Sequence, residues 1–201
     1  IEKVRLLVTA NSTVIDYGTA PMDDGVSCQG FVNNEGIDDL DGAPTYAHTY
    51  RQFDDVGKYT ITPGGLTSDN YDISFLPGTL EVRPRTVTLT WHNTEGRIYA
   101  DDEGAITATV SNAVNGDRIG VTVTGGELTA GTHTAAATGL TGDKAKNYQL
   151  STVDADRTVQ YTVAQAAQTL TFAQQGSLTR TYGDDAFSNA ASNNRRDGGS
   201  I

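Results

Sequence analysis

The chain has 201 residues, with 25 acidic against 14 basic side chains, a net charge of −11 and a pI near 4.5. A surface this acidic excludes nucleic acids and anionic membranes as partners, because both are held by clustered Lys and Arg. Cys28, the single cysteine, excludes an internal disulfide and a Cys-based zinc site, and no apolar run approaches the roughly 18–20 residues that span a bilayer.

Abundant Thr and Ser, 22 glycines and the lack of helix-period runs predict an all-β chain of short strands. Val4, Leu6 and Val8 are expected to face inward and open the first strand. A loop at 11–13 leads to Tyr17-Gly18. Residues 26–31 read as a strand, 33–40 as a polar connection with room for one short helical turn, and 46–53 as a further strand. The stretch 56–82 holds three alternating runs: Tyr59 with Ile61; Tyr71, Ile73 and Phe75; Leu80 with Val82. Alternation with a period of two puts each apolar set on one face of a sheet. Pro63-Gly64-Gly65 and Leu76-Pro77-Gly78 read as the turns between these runs. Leu76-Pro77-Gly78-Thr79-Leu80 has the look of a sortase signal, but it lies inside the pattern without a following hydrophobic tail and reads as a hairpin turn.

The same landmarks then return. Tyr17-Gly18 reappears as Tyr99-Ala100, 82 residues on, and Phe31-Val32-Asn33 as Ala113-Val114-Asn115 at the same step. Gly57-x-Tyr59 returns as Gly131-x-His133 and Gly65-Leu66 as Gly139-Leu140, both 74 residues on; Asn70-Tyr71 returns as Asn147-Tyr148 after 77. A fixed step of this size argues for tandem units, with a deletion of about 8 residues between Asn115 and Gly131. Residues 1–84 form the first unit and 85–166 the second. The strands of the second are expected at 86–91, 105–110, 119–124, 133–137, 148–153 and 159–163. Residues 167–201 open a third, with Tyr182-Gly183 as its landmark, and run out in a Ser-, Asn-, Gly- and Arg-rich tail from 188 that is expected to pack poorly. Ile1 is not an initiator Met, so the chain reads as a piece of a longer one. The links at 82–86 and 163–168 are short, and Pro84 stiffens the first. The expectation is a semi-rigid rod of beads. Each bead encloses its own modest core, gains from its neighbours, and holds Tyr17 and Tyr99 in like surroundings.

Tyr17-Gly18, Gly30-Phe31-Val32-Asn33, Gly57-x-Tyr59-x-Ile61, Gly65-Leu66, Asn70-Tyr71 and Pro77-Gly78-Thr79-Leu80-x-Val82 resemble the YGX-type MBG repeat of bacterial surface proteins. The second unit departs from the pattern at Ala100, at His133 and at 153–158, where the Pro-Gly-Thr turn should stand. Tyr182-Gly183-Asp184 also resembles the opening of bacterial Ig-like repeats. The resemblance implies an extracellular, tandemly repeated, β-rich module on a bacterial cell surface or secreted, with a role in adhesion. It brings no catalytic residue.

Candidate chemistry is sparse. Asp23-Asp24, Asp38-Asp39-x-Asp41, Asp54-Asp55, Asp101-Asp102-Glu103 and Asp184-Asp185 could hold Ca²⁺ at joints, yet none has a fixed ligand spacing, and solvated loop acids account for them. No pair of carboxylates is placed across a cleft for glycoside hydrolysis. His48, His92 and His133 are scattered. Ser27-Cys28 has no activating partner, and Cys28 reads as a small core hydrophobe. Lys3 and Asn70 could be joined by an isopeptide bond given a buried acid, which cannot be assigned. Tyr46 and Tyr50 share strand parity and pack inward or stack on a sugar, with the core preferred.

The reading is therefore an all-β chain of Ig-like antiparallel sandwiches arranged end to end, the alternative being β-grasp-like units with a helix at 33–40. Its function is that of a non-enzymatic stalk or spacer of a bacterial surface protein, the alternative being a glycan- or mucin-binding adhesin module. No catalytic residue, ligand-binding residue or metal ligand is assigned. No cofactor is expected beyond the Ca²⁺ considered above. The expected partners are neighbouring repeats and host or matrix glycans and glycoproteins, with no nucleic acid and no membrane insertion.

Overall fold

The structure, a computed structural model, describes residues 2–100, 104–172, 182–183 and 191–193. The first half carries β1 (Val4–Ala10), β2 (Thr13–Asp16), β3 (Val26–Gln29), a single 3-10 turn at Ile37–Asp39, β4 (Asp41–His48), β5 (Gly57–Thr67), β6 (Tyr71–Leu76) and β7 (Gly78–Arg83). These strands form two sheets, ordered β3-β1-β6 and β2-β7-β5-β4. The second half carries β8 (Arg85–Thr86), β9 (Leu89–His92), β10 (Thr107–Val110), β11 (Gly120–Thr124), β12 (Gly131–Thr141), β13 (Tyr148–Gln149), the one-turn helix α1 (Asp154–Arg157) and β14 (Thr158–Val163). Beyond it, β15 (Leu170–Phe172) pairs with β16 (Ala191–Asn193).

The all-β expectation holds, but the sheets are mixed rather than antiparallel. β1 runs parallel to β6 and β2 parallel to β7, so the first and last strands of the half lie side by side. Alternation cannot reveal this, because side chains alternate with the same period in both kinds of ladder. The helix that a β-grasp unit needs at 33–40 is only the three-residue turn Ile37–Asp39.

The stretch 56–82 also departs from its expected turns. β5 runs straight through Pro63-Gly64-Gly65, with Pro63 opposite Tyr46. The irregularity there is a bulge between Gly42 and Thr45 of β4, absorbed by Gly65 in the left-handed region at φ +81°. Pro77-Gly78 is a kink, not a hairpin turn: β6 and β7 continue one another and pass from one sheet to the other. At that crossing a Cβ on Gly78 would stand 2.4 Å from the Ala10 carbonyl oxygen, so only glycine fits. The expected strand at 46–53 sits earlier, as Asp41–His48, and a turn with Phe53 at φ +74° follows it.

The second half repeats this pairing. β9 with β10 follows β1 with β3, parallel β8 with β13 follows β1 with β6, and β11-β12-β14 follows β4-β5-β7. The counterpart of β2 shrinks to one parallel bridge, Ile98 to Ala164. Single bonds correspond too. Tyr17 N–H donates to the Arg83 carbonyl at 2.9 Å, and Tyr99 N–H to that of Ala164 at 2.8 Å. Val32 N–H donates to the Tyr71 hydroxyl at 3.1 Å, and Val114 N–H to that of Tyr148 at 3.0 Å. Tyr59 OH donates to the Asp55 carbonyl and His133 Nε2–H to that of Thr129, both at 2.6 Å. Helix α1 occupies the place where the Pro-Gly-Thr turn is missing.

Among the described residues three apolar clusters result. Leu6, Val8, Leu40, Leu66 and Tyr71 form one, and Ile106, Ala135, Tyr161 and Val163 another. The third unites Ile15, Tyr17, Tyr50, Ile61, Leu80 and Val82 with Val87 and Tyr148. The separate interiors expected on either side of Pro84 are therefore not what the chain builds. β7 runs into β8 with Pro84 alone between them, so Val82 and Val87 fall on the same interior. Tyr17 and Tyr99 share a backbone position but not an environment, since Tyr17 packs in the shared cluster and Tyr99 beside Ile106 and Tyr161.

Candidate functional site at the Pro84 junction

Fully buried Tyr17 and Asn147 both lie where the two halves join. The turn after β2 projects Tyr17-Gly18-Thr19, closed by Thr19 N–H on the Asp16 carbonyl. Each carbonyl of this tripeptide has its own donor: Arg85 Nη1 on Tyr17, Gln52 Nε2 on Gly18 and Tyr50 OH on Thr19. A turn held at three successive carbonyls is a rigid knob.

The knob enters the second half. Tyr17, fully buried, lies edge-on to Tyr148 with ring centroids 5.4 Å apart. Edge-to-face pairs of this kind add about 0.5–1.5 kcal/mol beyond burial. Both hydroxyls donate to Asp117 Oδ2 at 2.9 Å. Gly18 sits at φ +88°, and a Cβ there would stand 2.7 Å from Val114 Cγ2. Replacing Gly18 with Ala is expected to cost about 1–3 kcal/mol through overpacking and backbone strain. Gly96, at φ +71° in open space, is the control: its Ala variant carries the backbone strain alone. Urea midpoints of the two variants check this, and equal losses would contradict it.

A second contact flanks the knob. Asn147, fully buried, accepts from Val56 N–H at 3.0 Å and donates to Asp55 Oδ1 at 2.8 Å. Lys144 and Lys146 reach the same carboxylate at 2.9 and 2.6 Å. The Asn147 amide first, then the two ammonium groups, hold the Asp55 carboxyl well below the usual carboxylate range, and Asp55 in turn raises Lys144. More than a third of the Asp55 side chain stays in water, so these ion pairs are screened and worth about 0.2–1 kcal/mol each. The bonds of buried Asn147 matter more, because its amide has no water to fall back on.

Burial, then the neighbouring Asp117 carboxylate, pushes the Tyr17 hydroxyl far above its ordinary value of 10.0, and burial likewise raises Tyr148. A raised acid favours the neutral form in the folded state. This stability is complete below about pH 10 and is lost as the pH climbs through the raised value. In a titration followed at 295 nm, Tyr17 and Tyr148 should ionise only as the junction opens, above the ordinary tyrosine value. Ionisation of all nine tyrosines in one fast step near pH 10 would contradict this.

The other sequence candidates stay apart. Asp23 accepts from His48 Nε2 at 2.6 Å, and Asn11 donates to the Asp24 carbonyl. Asp39 accepts from Gly36 N–H and Asp54 from Arg51 N–H. Asp101-Asp102-Glu103, Asp184-Asp185 and most of the tail from 188 lie outside the described residues. Among the described residues no three His, Cys, Asp or Glu side chains converge on a point that could hold a metal ion. His92 meets Thr109 and His133 meets Thr129. Cys28 packs beside Val8, and burial pushes its thiol up, away from reactivity. Lys3 donates to the Ser68 carbonyl and Asn70 is exposed. Tyr50 is buried and Tyr46 half-buried, both against the shared cluster.

Sequence reasoning missed Asp117, Lys144, Lys146 and the buried Arg97, which donates to the Asn93 and Gly104 carbonyls and lies over the Tyr161 ring. Tyr17-Gly18 and Asn147-Tyr148 carried a signal as recurring landmarks, and Asp55 as one of an acidic pair.

Residues 6–81 match the family model of the MBG domain (YGX type), a non-catalytic repeat family typical of cell-surface proteins. Comparison with curated proteins and with solved structures finds no match. No helix among the described residues is long and apolar enough to cross a membrane.

Proposed function

We propose that the chain is a non-catalytic stalk segment of a bacterial cell-surface repeat protein, in which residues 1–84 and 85–166 are successive units and 167 onward opens the next. The observation that supports this reading is the junction, where buried Tyr17 and buried Asn147 tie the two halves together and only Pro84 separates β7 from β8. A spacer that holds a distal adhesive module away from a surface needs this stiffness and no ligand of its own. The matched family supports a surface module, and Tyr17 and Tyr50 of the first half are buried, away from a sugar.

The test is a glycan array probed with the full chain. The stalk reading expects no retained glycan. Reproducible, saturable binding to one glycan class would replace it with an adhesin module.

A further inference from the structure

The first half carries an uncovered counterpart of the surface that receives Tyr17-Gly18 on the second. A cleft of about 310 Å³ is lined by Glu2, Lys3, Val4, Val32, Glu35 and Tyr71, together with neighbouring loop residues. By the steps that relate the halves, Val32 corresponds to Val114, Glu35 to Asp117, Asn70 to Asn147 and Tyr71 to Tyr148. The local bonding corresponds as well: Tyr71 OH donates to Glu35 Oε2 at 2.5 Å, as Tyr148 OH does to Asp117 Oδ2 at 2.9 Å. What differs is the cover. Asn147 is fully buried and Asn70 exposed, while Val4 and Val32 are 38% and 42% exposed. Strand register also sets the entry path. Val4 stands opposite Tyr71 as Arg85 stands opposite Tyr148, so Glu2 takes the register position that Arg83 has at the Pro84 junction.

We propose that this cleft is the docking site for the Tyr-Gly turn of a preceding repeat of the same kind, whose tyrosine hydroxyl donates to Glu35 and whose glycine rests on Val32. The proposal rests on reading the halves as successive units and extends that reading to a neighbour. The occupant is further specified by charge. The residue before the landmark asparagine is Lys146 in the second half and Asp69 in the first, and the loop that supplies Lys144 is three residues shorter in the first. A preceding repeat with an acid at the Asp55 position would meet Asp69, and like charges at that distance repel. The second half has Thr129 there, so the pattern tolerates a neutral residue. The neighbour that fits copies Tyr17-Gly18 and lacks Asp55. Phe31 lies edge-on to Tyr71 where the second half has Ala113, so the incoming ring has less room than Tyr17 does.

The test keeps the whole chain and adds one repeat. Residues 1–81 are joined ahead of Ile1, with Asp55→Thr in the added repeat, and amide exchange and shifts are followed by NMR in the original chain. Docking should slow exchange of the Val32 amide by about tenfold and shift Val4, Val32 and Tyr71. Tyr17→Phe in the added repeat should give weaker protection, and retaining Asp55 there should weaken it further. Unchanged exchange and shifts at Val4, Val32 and Tyr71 would overturn the proposal, as would equal changes when the added repeat carries Tyr17→Ala. Protection at Val114 reports the Pro84 junction in the same sample, so loss of this docking is told apart from failure of the stalk reading.

Discussion

Replacing Tyr17 with alanine should destabilise the chain by about 3–5 kcal/mol, the range for removing a fully buried aromatic side chain. The ring fills the shared cluster, and its hydroxyl is one of two donors on Asp117 Oδ2. Removing it opens a cavity between Leu80, Val82, Val87 and Tyr148 and takes one bond from a half-buried carboxylate. For a chain of this size the loss corresponds to a fall in Tm on the order of 10 °C. Tyr17→Phe keeps the ring and removes the bond, so its cost should be about 1.5–3 kcal/mol. The sharper signature is cooperativity. With Tyr17 gone, the halves should unfold in two transitions, because the largest side chain reaching across Pro84 is missing. Calorimetry of the full chain checks this. A single transition with less than 1 kcal/mol lost (roughly the scale of a surface substitution) would mean that the junction contributes little.

The second large effect falls on Asn147. Its alanine variant leaves the half-buried Val56 N–H without an acceptor and takes from Asp55 the amide that does most to lower its pKa. A loss of about 2–4 kcal/mol is expected, one to two unsatisfied groups at about 1–3 kcal/mol each. Asn147→Asp separates geometry from charge. It keeps the acceptor for Val56 but sets a carboxylate against Asp55, so it should be worse than alanine at neutral pH and improve as the pH falls. The pH dependence of the parent has a definite sign. Asp55 is held below its ordinary value of 3.8, so its contribution is complete above that value and is lost as the pH falls through the lowered one. The stability gap between the parent and Asn147→Ala should therefore narrow in acid. A gap independent of pH between neutrality and strong acid would show that Asp55 draws nothing from Asn147.

Much of the fold was legible because it rests on alternation and turn chemistry. Leu6 and Val8, Ile61, and Leu80 with Val82 face the interior that their spacing assigned them, whereas Val4, read on the same face as Leu6 and Val8, stays 38% exposed at the end of β1. The landmarks that return in the second half also make the same bonds there, from Tyr17 and Tyr99 to Val32 and Val114. Strand direction was not legible, since a period of two is blind to it. Nor was the path of β5, because Pro63-Gly64-Gly65 has the composition of a turn while serving a bulge. The junction was hardest to see. Phe31 becoming Ala113, and Asp69 becoming Lys146, look like neutral drift in a linear comparison. They acquire meaning only once Tyr17 is known to lie beside Tyr148 and Asp55 beside Lys146. Long-range pairs such as Tyr17 with Asp117 have no periodic signature at all.

The central claim is that the Pro84 junction holds the two halves in one fixed orientation. Residual dipolar couplings measured on the full chain test it most directly. One alignment tensor should fit the amides of 4–83 and 85–164 together, and Tyr17→Ala should split the fit into two tensors of different magnitude. Two unequal tensors in the parent chain would mean that the halves reorient independently, and the junction would not be the structural site described here.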